Sequence, residues 1–109
     1  IIDFRPIYTL KDRLIDYIRS EPERMNEMKS GDIEKQSFII CDFLAQQDWN
    51  YLSEPSLSER DKEDIIDFCI YMSQHFKLPY IMHYWEQKYR RPCIVLNVGL
   101  TLLETASEG

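Results

Sequence analysis

The richest chemistry in this chain is concentrated in one run, His83-Tyr84-Trp85-Glu86-Gln87-Lys88-Tyr89-Arg90-Arg91, which interleaves aromatic rings with bases. Trp, Tyr and Arg dominate protein-binding hot spots because each joins a large buried area to a polar handle. If the run is helical, Lys88 and Arg91 stand one turn apart, a spacing that can clamp an acidic or phosphorylated ligand. His83, Tyr84, Lys88, Arg90 and Arg91 are therefore the candidate partner-binding residues. The same spacing suits a plainer role, with Trp85 and Tyr89 in the core and the bases on a solvated face. Bases stacked on Tyr84 or Tyr89, with phosphates on the arginines, would also describe a single-stranded nucleic-acid site. The charge of the rest of the chain opposes that use.

Other reactive residues do not combine. The run Glu59-Arg60-Asp61-Lys62-Glu63-Asp64 is acidic, but it has no central glycine and two bases interrupt it, so it is not a calcium loop. It reads as a solvated helix start, where the dipole favours carboxylates. Glu63 with Asp67, and Asp12 with Asp16, are paired at helical spacing on polar faces, where acid–base chemistry has no burial to split their pKa values. His75 and His83 are separated by Pro79. No H-E-x-x-H, G-x-S-x-G, P-loop or G-x-G-x-x-G pattern occurs. Cys69 has Asp67 and apolar residues for neighbours, the wrong setting for a nucleophilic thiolate. The sequence thus implies no catalytic residue, no metal ligand set and no cofactor.

Cys41, Cys69 and Cys93 are odd in number, widely spaced and set among apolar residues. Buried free thiols in a reducing compartment follow, so the expected location is intracellular, cytoplasmic or nuclear. Ile1-Ile2-Asp3 is too short and too soon charged for a signal-peptide core, and no run approaches the length of a membrane helix. The absence of a leading Met suggests an excised domain.

The elements that must position these residues are helical. With 109 residues and 44% hydrophobic content, one domain over 1–109 can build its own core. The expected class is all-α, a single compact domain of five to six short helices. Thr9 offers an N-cap, with Asp12 as its first-turn partner. Ser20 and Glu23 have capping-box spacing before a short helix that stops at Ser30-Gly31. Asp32 caps a broad apolar helix to about Gln47, and a loop anchored by Trp49, Tyr51 and Leu52 follows. Ser56 and Glu59 form the clearest capping box, opening a helix to about Phe76. A fifth helix is predicted from Pro79 to about Arg91, with Leu78, Met82, Trp85 and Tyr89 inward. The tail fits two patterns. Ile94, Leu96, Val98, Leu100 and Leu102 alternate as a strand does, while Leu96, Leu100 and Leu103 share a helical face. Helix is favoured, because an isolated strand has no obvious partner. Residues 1–8 read as an extended lead-in.

Charge is polarised. Residues 32–68 carry ten acids and three bases, whereas 77–93 carry four bases against Glu86 alone; the whole chain has a net charge of -6. This speaks against nucleic acid and anionic membrane as partners. The expected function is non-enzymatic: a protein-interaction module, adaptor or subunit, with another protein or a second copy as partner. The alternative is a small acidic inhibitor that mimics nucleic acid to block a nucleic-acid-processing protein.

Overall fold

The chain's punctuation turns into helix ends. A computed structural model describes residues 8–53 and 56–108. Its helices are α1 (Leu10–Arg19), α2 (Pro22–Lys29), α3 (Ile33–Gln46), α4 (Glu59–His75), α5 (Leu78–Tyr89) and α6 (Ile94–Glu108), with a short 3-10 turn at Asn50–Ser53. There is no strand among the described residues, and the tail is helix α6. Apart from Tyr8, the extended lead-in expected for residues 1–8 lies outside the described residues. Among the described residues no helix is long and apolar enough to cross a membrane.

Thr9 and Asp12 form a reciprocal box at the start of α1, each side chain accepting from the other's backbone N–H at 3.2 Å. Asp64 of α4 accepts from Leu10 N at 3.0 Å and pins this end of α1 to α4. The expected Ser20–Glu23 box does not form. Ser20 closes α1, its hydroxyl donating to the Tyr17 carbonyl at 2.8 Å, so it is not free to cap α2. Glu21 stands at the start of α2 without a side-chain cap. Gly31 then takes φ 78°, the left-handed geometry that glycine supplies without a Cβ clash. Asp32 caps α3 through Glu34 N and Lys35 N.

The cap of α4 is Ser58, not Ser56. Ser58-x-x-Asp61 repeats the box spacing two residues later, and Ser58 Oγ accepts from Asp61 N at 3.1 Å. Leu57, just before it, packs against the core and fixes the entry of the chain.

The six helices share one core. Leu14, Ile40, Phe43, Leu44, Ile65, Cys69, Met72 and Trp85 are buried, as the apolar spacing predicts. The same spacing places Ile18, Phe76 and Met82 in the core, but they are only half-buried and pack at its edge. Leu78, Ile81 and Trp85 form the inward stripe of α5, so Met82 and Tyr89 lie beside that stripe and not on it. Helices α4 and α6 make the most extensive pairing, and Gly99 lets α6 approach the Cys69 sulfur.

Candidate functional site

The five residues predicted to bind a partner are spread over different sides of α5 and the turn that follows it. His83 is exposed and lines a hollow with Phe76, Leu78 and Tyr80. Lys88 faces α3, its Nζ 4.3 Å from the centre of the Phe38 ring, which is 49% exposed. Tyr84 is half-buried, and burial raises its phenol pKa. Arg90 takes φ 59° and ψ 35°, ending the helix in a left-handed turn. Arg91 therefore falls outside α5, and the one-turn spacing from Lys88 does not carry it onto the same helix face. It lines a 440 Å³ hollow at the α5–α6 junction, with Trp49, Trp85 and Ile94.

Trp85 is only 4% exposed and lies in the core, its ring centre 4.3 Å from that of Tyr89. Its indole N–H is buried and has no hydrogen-bond partner among the described residues. Trp49, by contrast, donates its indole N–H to the Leu44 carbonyl at 2.8 Å and ties the loop after α3 to that helix.

A surface that the sequence did not single out runs past the break between α4 and α5. Phe76 closes α4 in extended geometry, its backbone N–H donating to the Met72 carbonyl. Its ring contributes to two hollows. One, of 340 Å³, is walled by Ile15, Ile18, Met25 and Met28, with Arg19, Lys29 and His75 around it. The other, of 670 Å³, is formed by Leu78, Pro79 and Tyr80, with Lys77 and His83. Among the described residues no carboxylate lines either hollow; Asp12 and Asp67 line a neighbouring hollow that shares Tyr71 and His75 with the first. In a chain with 19 acids and 13 bases, that exclusion is informative. Gln36 supports the first hollow by donating to the Met28 carbonyl at 2.9 Å, which holds α2 on α3. Tyr71 stacks on His75 at 4.5 Å and meets the Phe76 ring edge-on. The bases come from α1, α2 and the α4–α5 break, so no single stretch of sequence displays them together. The available signal was Met25 and Met28 at i, i+3, a spacing that the sequence reads as an inward face but that the structure leaves half-buried.

The acids gather elsewhere. Asp61, Glu63, Asp64 and Asp67 surround a 320 Å³ hollow between α1 and the start of α4, with Arg13 and Arg60. Burial raises the Asp64 carboxyl pKa, opposed by the hydrogen bond from Leu10 N. Burial, with Asp64 and Asp61 nearby, pushes the Tyr51 phenol to about 12. Thr9 holds Asp12 below the ordinary carboxylate value through its backbone and side-chain hydrogen bonds. Among the described residues no group of three His, Cys, Asp or Glu side chains is arranged to hold a metal ion.

The three thiols are buried, and burial pushes Cys41 and Cys69 to about 12 and Cys93 to about 11. Such thiols stay protonated at neutral pH, and the thiol is a far weaker nucleophile than the thiolate. Cys69 packs on Ile65 and Gly99, while His75 is exposed and stacked on Tyr71.

No family model, curated protein or solved structure matches this chain.

Proposed function

We propose that this domain is a non-enzymatic protein-interaction module, an adaptor or a subunit of a larger assembly, and that it binds through the two hollows meeting at Phe76. The observation that carries this reading is an apolar surface kept free of carboxylates in an acidic chain. Half-buried Met25, Met28 and Phe76 and exposed Tyr80 offer apolar contact area. Methionine suits such a role, because its unbranched side chain adapts to a partner's shape. The protonated, inaccessible thiols favour binding over catalysis. Of the residues predicted from the sequence, His83 belongs to this surface.

Affinity capture with three proteins tests the reading: the parent, a Met25→Ser, Tyr80→Ala variant, and a Lys88→Ala, Arg90→Ala, Arg91→Ala variant, all with matched melting curves. The expected result is a protein partner lost by the first variant and kept by the second. The reverse result would move the site to the end of α5. A partner kept by both, or none at all, would remove the hollows from the proposal.

A second reading has its own support in the acidic edge between α1 and α4. Carboxylates displayed there would stand in for phosphates and block a nucleic-acid-processing protein. Affinity for a basic partner would then fall steeply between low and physiological salt. Binding unchanged across that range would exclude it.

A further inference from the structure

We infer that the hollows meeting at Phe76 receive an amphipathic helix whose apolar face is flanked by Asp or Glu. This rests on the reading of the hollows as the domain's binding surface, and it fixes the class of partner. The first argument is charge. Arg19, Lys29 and Lys77, with the imidazole of His83, share the lining with apolar side chains, and no carboxylate among the described residues does. Asp12 and Asp67 lie in the neighbouring hollow beside Tyr71 and His75, whose lining includes none of these three bases. Acidic flanks meet complementary charge here, while basic flanks would be repelled.

The second argument is the mode of recognition. Every regular element among the described residues is helical, so no sheet edge is offered for a partner strand to extend. A partner on this surface is held by side chains. Helix-in-groove recognition places apolar residues at i, i+3 or i+4, and i+7 along one face. Two hollows that share Phe76 and are lined by apolar side chains offer places for successive anchors of that kind. A phosphate backbone is disfavoured, since the bases share these linings with apolar side chains and come from separate elements of the chain.

A displayed library tests the inference. Peptides of about 18 residues, long enough to form a helix, carry fixed leucines on one face and flanks drawn from Glu, Lys or Gln. They are selected against the folded parent and against a Lys29→Glu, Lys77→Glu variant; both lysines are exposed. The parent is expected to enrich Glu flanks and the variant Lys flanks. Glu-flanked peptides should lose at least about tenfold in affinity for the variant. Selected peptides should also lose affinity for the Met25→Ser, Tyr80→Ala variant. Lys or Gln flanks on the parent, lost with Met25 and Tyr80, would overturn the acidic partner while leaving the hollows as a binding surface. Selection indifferent to Met25 and Tyr80 would overturn the hollows themselves. Identical flanks on the parent and the charge-reversed variant would show that the lysines take no part, and would also overturn the inference.

Discussion

A Cβ placed on Gly99 would stand 2.1 Å from the Cys69 sulfur and 3.1 Å from Ile65 Cγ2. Glycine counts against a helix in the sequence, costing about 1 kcal/mol relative to alanine. Here it is what allows α6 to seat against α4. Gly99→Ala should therefore destabilise by about 1–3 kcal/mol, as overpacking does, despite the better helix propensity. Cys69→Ala in the same chain removes the opposing sulfur and should recover most of that loss, which a urea-melt double-mutant cycle would show. If Gly99→Ala alone is neutral, the close approach is not there. Asp64 gives a second expectation. Its folded pKa is raised, so the stability it contributes is present below its unfolded value and is lost as pH rises through the folded one. Asp64→Asn keeps an oxygen to accept from Leu10 N and cannot ionise. It should melt above the parent at pH 7, with the gap closing as pH falls through the raised folded value toward about 3.8, the ordinary value for the carboxyl. A variant that melts lower at pH 7 would mean the charge itself holds α1. Neither residue's role was legible in the sequence, because each depends on a helix packed from elsewhere in the chain.

The helices themselves were legible wherever local chemistry decides them. Thr9, Gly31 and Asp32 stand where their side chains and backbone preferences place them. Caps failed where two candidates competed. Ser20 was claimed by the carbonyls ending α1, and Ser56 was displaced by Ser58. These differences can be measured directly. Thr9→Ala and Ser58→Ala should each cost about 0.5–2 kcal/mol, whereas Ser56→Ala, at an exposed residue outside the cap, should stay within about 0.5 kcal/mol. Equal losses at Ser56 and Ser58 in thermal melts would put the start of α4 back at Ser56. The tail shows a different limit. Its apolar residues satisfy both the strand and the helix pattern, and only the face of α4 offered by Ile65 and Cys69 selects between them. The end of α5 is also set beyond periodicity: the left-handed turn at Arg90 removes Arg91 from the helix.

For the molecule as a whole, the segregation of charge along the sequence was visible, but the carboxylate-free surface was not. It is assembled from α1, α2, the end of α4 and the start of α5, which meet only after folding. The buried thiols were anticipated from their apolar neighbours, and they make the integrity of the fold measurable. Cys41 lies in α3, Cys69 in α4 and Cys93 just before α6, all buried in the shared core. Their folded pKa values, about 12, 12 and 11, lie above the ordinary thiol value of 9.0. The sign is that of any raised pKa: the stability is fully present below about pH 9 and is lost as pH rises toward 11–12. Between about pH 9 and 11 the unfolded chain has released three thiol protons that the folded chain retains. Stability should then fall by roughly 4 kcal/mol per pH unit from the thiols alone, and Tyr51, pushed to about 12, adds to the loss at the upper end. A domain stabilised by about 5–15 kcal/mol should therefore be stable at pH 8 and unfold within a few pH units above 9. Urea midpoints from pH 7.5 to 10.5 should show a plateau and then a steep descent. Alkylation of the three cysteines should proceed together, at the pace of global opening. A flat profile to pH 10.5, or early labelling of Cys93 alone, would mean that water reaches the α4–α6 seam without unfolding the rest, and that α6 is a detachable element.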